Sequence, residues 1–323
     1  MTGLDPGPLR IVTGLTVLLV LGTAYRWIAY RRRPGDGTRE RRRALGTWWA
    51  LSLLLVVVLV LGRPAVVAAS VVFSLLLLRE TLRLVWPEPP AALRTGSVAL
   101  AAVVYLWAAW SWESLFLQAL PILGVLVVAG EILRRWAPGS GWLRARETGI
   151  ALLISIGGPS FLVAVASLPA PQSLPGASLG WLVLLLVLTE LNDSAQAWWG
   201  RTVGSHRMAP RLSPKKTWEG LFGGSATVTL VAVIVAPWVT SYGRESPFGE
   251  APAWLWAAGL GLLVGLAATA GDLAASRLKR RAGVKDSGRL LPGHGGILDR
   301  FDSLTVAAPV YFFVTWFLWG PGT

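Results

Sequence analysis

The chain has no cysteine, which excludes disulfides, thiolate metal sites and cysteine nucleophiles. Charge is also scarce. Only 15% of the residues are charged, 54% are apolar, and the mean hydropathy is +0.56. A soluble globule carries about 25% charged residues, so this composition is that of a membrane protein. No internal repeat of fixed period is visible, which counts against a transporter built from repeated halves. A cleaved leader is not expected. Arg10 is the only charge placed to serve as its basic region, and the large positive cluster follows the first apolar run instead of preceding it.

What the chain has is long apolar runs. A bilayer span needs about 20 mostly apolar residues. Ten segments qualify as candidates, at 9–30, 45–62, 64–78, 97–111, 114–133, 148–168, 177–198, 220–240, 253–275 and 304–319, the third and fourth of them short. The expected fold is all-α and polytopic, with about ten transmembrane helices. Many of the 18 tryptophans fall near span ends, as an interfacial aromatic belt does.

The net charge of +13 could suggest nucleic acid, but its distribution says otherwise. Alternate loops, at 31–43, 79–94, 134–146, 199–218 and 277–303, hold 26 of the 30 Lys and Arg. By the positive-inside rule these five loops are cytoplasmic and both termini external. The excess charge then serves orientation and anionic-lipid contact. Up to residue 146 the basic loops are rich in arginine but lack ordered Gly, Asp or His. The chain accordingly divides into N-terminal helices (1–146) and a C-terminal catalytic region (147–323).

Two later loops are chemically specific. In the first, Glu190 and Asp193 share a helix face three residues apart, and a carboxylate at membrane depth usually faces a polar cavity. Arg201 could pair with them. Downstream, Ser213-Pro214-Lys215-Lys216-Thr217 reads as a helix start: Ser as N-cap, Pro in the first turn, and free N–H groups beside two lysines that suit an anion. His206, in the same loop, has no partner visible in sequence.

The second loop, Ser276 to Asp302, packs seven Lys or Arg, three Asp, one His and five Gly. Asp272, Ser276 and Lys279 recur at helical spacing, so they share a face. Arg280, Arg281, Lys285 and Asp286 follow, then an irregular turn around His294, then Asp299 and Asp302 at i, i+3. Hard oxygen ligands at adjacent span ends suit Mg²⁺, which keeps waters and takes substrate phosphates as its other ligands. The bland alternative is that the carboxylates only neutralise the cations. It explains neither the glycines nor the helical phasing.

The order S-x-L-K-R, K-D-x-G and L-P-G-H-G-G-I-x-D-R-x-D resembles the phosphatidate cytidylyltransferase (CDP-diacylglycerol synthase) family. The upstream G-R, S-P-K-K-T-W-E-G-x-x-G-G and G-D elements fit in the same order. The resemblance covers residues 147–323. It implies cytidylyl transfer from CTP to phosphatidate, giving CDP-diacylglycerol and pyrophosphate in the membrane of a bacterial cell. It implies catalytic roles for Asp272, Asp299, Asp302 and Lys285. It places Mg²⁺, with room for a second cation, on Asp193, Asp272, Asp299 and Asp302. Substrate would be held by Arg201, Ser213, Lys215, Lys216, Lys279, Arg280, His294 and Arg300. Expected partners are CTP, phosphatidate or a related lipid phosphate, and membrane lipids. A homodimer is left open and nucleic acid is not expected. One departure stands out: the family often has Ala-Tyr before Gly-Arg, where this chain carries Asn192-Asp193-Ser194-Ala195-Gln196-Ala197. That departure bears on the lipid substrate more than on the chemistry. Other readings stand alongside: CTP chemistry on another lipid phosphate, a polyprenol or phytol kinase, or a non-enzymatic transporter.

Overall fold

The computed structural model describes residues 38–114, 116, 140–169, 179–249, 251–288, 290 and 295–319, together with Thr13, Gly14, Thr16, Val20 and Thr23. Helices α1 (Thr38–Leu61) and α2 (Arg63–Val85) meet at Gly62, whose φ of 74° lies in the left-handed region that glycine tolerates. Pro64 follows in the first turn of α2, where its missing N–H costs nothing. Helix α3 (Ala91–Ser114) comes next. Then α4 (Ser140–Leu152) continues through a π turn (Leu153–Gly157) into α5 (Gly158–Val165). Pro159 cannot donate a helical hydrogen bond, and the wider turn before it accommodates that loss. Here the Ser74 hydroxyl donates to the Ser155 carbonyl at 2.6 Å.

The C-terminal bundle consists of α6 (Gly180–Thr202), α7 (Trp218–Val239), α8 (Ala253–Arg281), the single turn α9 (Leu298–Phe301) and α10 (Leu304–Trp319). Small residues line the seams between α6, α7 and α8, as they do where membrane helices pack closely. A Cβ on Gly261 would meet Ala232 and the Thr229 backbone at 2.8 Å, so only glycine permits that approach. Asn192 and Gln196 are buried in the same seams. Asn192 faces Gly265 and Ser225, and Gln196 Nε2 donates to Thr269 Oγ1 at 2.5 Å. The departure from the family pattern therefore lies in helix packing.

Among the described residues, six helical segments are long and apolar enough to cross a membrane: Arg63–Val85, Ala91–Ser111, Leu143–Val165, Trp218–Val239, Ala253–Arg281 and Leu298–Trp319. The two segments expected to be short are thus full-length helices. The candidates at 45–62 and 177–198 coincide with α1 and α6, which fall outside those six. The polar stretch Glu190–Gln196 breaks the apolar run of α6. The candidates at 9–30 and 114–133 lie largely outside the described residues.

The expectation of a helix start at Ser213 is corrected. Ser213–Thr217 is a strand, β2, paired antiparallel with β1 (Arg207–Ala209), with Arg207 opposite Thr217 and Ala209 opposite Ser213. Among the described residues the chain is therefore helical with one small hairpin. Thr217 takes the cap instead, its Oγ1 accepting from Gly220 N at 3.0 Å. Both Ser213 and Thr217 are good cap residues, and the pairing of β2 with β1 decides between them.

Contacts gather four of the five basic loops at one end of the bundle. Trp86 Nε1 donates to Thr148 Oγ1 at 2.9 Å, Arg281 pairs with Glu147, and Arg280 Nε donates to the Leu212 carbonyl at 3.2 Å. Glu80 reaches the 287–298 segment from α2. If the positive-inside rule sets this end in the cytoplasm, single cysteines introduced into the cysteine-free chain report it. Asp286→Cys should resist an impermeant thiol reagent in intact cells, while Ser246→Cys should react. The reverse pattern would overturn the orientation.

Candidate active site

Four elements build the site: the C-terminal half of α6, the hairpin, the polar end of α8, and the segment from Ser287 to Ser303. Helical spacing on α8 aligns Asp272, Ser276 and Lys279. The Ser276 hydroxyl donates to Asp272 Oδ1 at 3.2 Å. Lys279 Nζ lies 2.7 Å from Asp299 Oδ1 and 3.8 Å from Asp302 Oδ2. Across from them, Lys216 at the end of β2 brings Nζ to 2.7 Å from Asp272 Oδ2. On α6, Asp193 Oδ2 accepts from the Ser303 hydroxyl at 2.8 Å.

Asp299 is the most heavily bonded of these carboxylates. Besides Lys279, it accepts from Ser287 N at 2.8 Å and Gly296 N at 2.9 Å. Gly295 turns the backbone here at φ +82°, and a Cβ on it would meet Asp299 Oδ2 at 2.6 Å. Asp302 is buried, and among the described residues it accepts one hydrogen bond, from its neighbour's amide, Ser303 N, at 2.9 Å. It lies within electrostatic reach of both Asp193 and Asp272, which also act on one another. Three like charges are thus held near each other, with two lysines among them.

Two half-buried cations each have a buried donor atom to spare. Lys216 Nζ is close to Asp272 but lacks hydrogen-bond alignment, and Arg300 Nε has no hydrogen-bond partner among the described residues. Both act electrostatically on Asp193. A buried donor left unpaired costs about 1–3 kcal/mol, more when charged, so these groups are poised for an anionic ligand. Beside them lies a cavity of ≈ 330 Å³, lined by Glu190, Asp193, Ser194, Arg201, Asp299 and Arg300. Glu190, the lining residue furthest from Arg201 along α6, interacts with Asp193 and Arg300.

The other expected residues are placed as follows. Arg201 is exposed at the cavity rim, and Lys215 and Lys285 are exposed and do not line the cavity. Ser213 opens β2. Arg280 spends its guanidinium on the Leu212 and Val284 carbonyls. His294 lies outside the described residues. His206, which had no visible partner, meets Glu219: Nδ1 is 2.6 Å from Oε1. Sequence reasoning missed Glu80, whose buried carboxylate on α2 accepts three hydrogen bonds from the 287–298 segment.

The oxygen donors suit a hard divalent cation. Among the described residues no three acidic or histidine side chains already surround one point. A bound ion would therefore complete its shell with water and substrate oxygens.

Comparison with known proteins decides the family. The description of the cytidylyltransferase family matches residues 42–318. The chain belongs to the cytidylyltransferase family. It is similar to YnbB of Escherichia coli K12, an uncharacterized protein, with 34% identity over 305 residues, 93% of this chain and 95% of YnbB. It is 33% identical over 231 residues to a phosphatidate cytidylyltransferase of Brucella suis, covering 70% of this chain and 77% of that protein. It is 36% identical over 163 residues to a phosphatidate cytidylyltransferase of Rickettsia felis, covering 49% and 70%. This cytidylyltransferase is thus a membrane enzyme, a nucleotidyltransferase whose family match extends through both parts of the chain.

Proposed function

We propose that this cytidylyltransferase transfers the cytidylyl group of CTP to phosphatidate. The observation that carries the reading is a pair of half-buried cations with unspent donors, Lys216 and Arg300, both acting on Asp193, with Lys216 also against Asp272 and with Asp302 in electrostatic reach of both carboxylates. Unspent donors suit polyphosphate oxygens, and clustered carboxylates suit the divalent cation that accompanies a nucleoside triphosphate.

The nucleophile is an oxygen of the lipid phosphate. A phosphate monoester has a second pKa near 6, so it is already largely ionised at neutral pH and needs no strong base. Its oxygen bonds to the α-phosphorus of CTP as the bond to the β-phosphate oxygen breaks, and pyrophosphate leaves. Lys216 and Arg300 hold anionic oxygens, and Lys279, fixed by Asp299, supplies charge beside them. Such fixed charges stabilise a transition state without reorganising during the reaction. A Mg²⁺ held by Asp193, Asp272 and Asp302 would offset charge on the phosphates. The cavity spans from Arg201, at the cytoplasmic end of α6, to the deeper Glu190, so soluble and membrane-borne substrates can meet there. The remaining predicted spans, to a total of about ten, belong to the same reading.

The test is pyrophosphate release by the purified protein with CTP and a panel of lipid phosphates, with and without chelator. Release with phosphatidate, lost on chelation and restored by Mg²⁺, is expected. Release with an isoprenoid phosphate alone would reassign the lipid, and formation of CDP instead of pyrophosphate would replace transfer by kinase chemistry.

A further inference from the structure

We infer that Glu80, on α2, is a positioning residue that fixes the catalytic segment from outside the C-terminal bundle. Its Oε1 accepts from Ile297 N at 2.9 Å, and its Oε2 accepts from Leu298 N at 3.0 Å and from the Ser287 hydroxyl at 2.8 Å. That hydroxyl also lies 3.1 Å from Asp299 Oδ2, so the two carboxylates share one proton donor. Asp299 binds the next amides along, Ser287 N and Gly296 N. The two carboxylates therefore grip the same short segment from opposite sides, and the grip ends on Lys279 through Asp299.

Two glycines have their reason here. A Cβ on Gly288 would meet Glu80 Oε1 at 2.7 Å, and one on Gly296 would meet both Glu80 oxygens and the Ser287 hydroxyl. Each glycine lets backbone close on the carboxylate. A carboxylate near the end of a span is costly unless it is compensated. Glu80 is compensated by three donors of the catalytic segment, and it has no ion pair among the described residues. Its contact with Asp299 is indirect, through Ser287 and the 296–298 backbone. Loss of Glu80 should thus leave the bundle standing and let Asp299 and Lys279 drift.

The inference rests on the reading of the site given above, and its test separates the two. Full-length protein in detergent carries a spin label on a single cysteine at Asp286→Cys, an exposed position beside the gripped segment. Glu80→Gln puts an NH₂ group against backbone N–H donors. Label mobility is expected to rise. The kcat for pyrophosphate release should fall by about tenfold to a hundredfold, as misplacement by an ångström does, with KM for CTP moving less than about threefold. Leu78→Ala, a core truncation two residues away, is the structural control. It should lower the melting temperature while leaving label mobility and the kcat of the folded enzyme unchanged. If Glu80→Gln does not fold, Glu80→Asp keeps the charge one methylene short and carries the same comparison. Wild-type mobility and kcat in the Glu80 variants would overturn the inference, as would losses that merely track melting temperature in the manner of Leu78→Ala. Should the wild type release no pyrophosphate from CTP with any lipid phosphate, the proposed reaction falls, and label mobility alone still decides on Glu80.

Discussion

Asp302→Asn is expected to abolish most transfer activity while leaving the protein as stable as before, or more so. Asp302 is buried, its nearest cation is Lys279 at 3.8 Å, and Asp193 and Asp272 repel it. Asparagine keeps the shape and the oxygen that accepts from Ser303 N. It removes a charge that burial and two neighbours all oppose. Lys279 keeps its closer partner, Asp299, at 2.7 Å. The folded protein therefore loses little by the change and sheds a desolvation cost. On the proposed reading the same charge would help hold the divalent cation, and losing one electrostatic element of such a site costs about 10²–10³ in kcat. Thermal melting and pyrophosphate release, measured on the same sample, separate these effects. A variant that melts earlier but keeps its rate would make Asp302 a structural residue. Asp299→Asn should behave differently. It strands buried Lys279, and breaking a buried pair costs about 3–5 kcal/mol, so both rate and stability should fall.

Lys216→Met is expected to have the second large effect. Methionine roughly preserves the length and the apolar stem and removes only the ammonium. Asp272 loses its 2.7 Å cation, but it is partly solvated at 24% side-chain exposure and keeps the Ser276 hydroxyl. The stability loss should therefore stay below that of Asp299→Asn. For turnover the position matters more, because this ammonium has donors that no acceptor among the described residues uses. A drop of about 10²-fold in kcat/KM is expected from removing one charged contact to a transferring phosphate. If KM for CTP carries the change, Lys216 binds the ground state. If kcat carries it, Lys216 meets the departing pyrophosphate. Unchanged kinetics would move the nucleotide away from the hairpin.

Most of the helical framework was legible because apolar runs longer than a dozen residues have few alternatives. The phasing of Asp272, Ser276 and Lys279 was legible for the same reason: a helix fixes which residues share a face. Lys216 was found as a candidate on the wrong element. Ser213, Pro214 and Thr217 satisfy capping chemistry as well as strand chemistry, and a sequence does not display the partner strand at Arg207–Ala209. The ion pairs Lys216–Asp272 and Lys279–Asp299 bring together charges that local patterning leaves unassigned. Glu80 was missed because it sits among arginines, where a lone acid reads as charge balance. A signal did exist. It is a carboxylate closing a run of four leucines, where burial demands compensation, and two glycines in the distant motif have no local need for close approach.

The grip on the catalytic segment also has a timetable. Glu80 and Leu298 are 218 residues apart in the chain. At about 5–20 residues per second, a ribosome needs roughly 10–45 s to cross that distance. Through that interval α2 is already made, and its carboxylate has none of the three donors that later enclose it. The donors, Ser287, Ile297 and Leu298, are made just ahead of α10, so the grip on Glu80 closes late. A nascent chain lacking only α9 and α10 would hold most of its helices yet have no closed phosphate site. On the proposed reading, nucleotide chemistry then waits for these late residues.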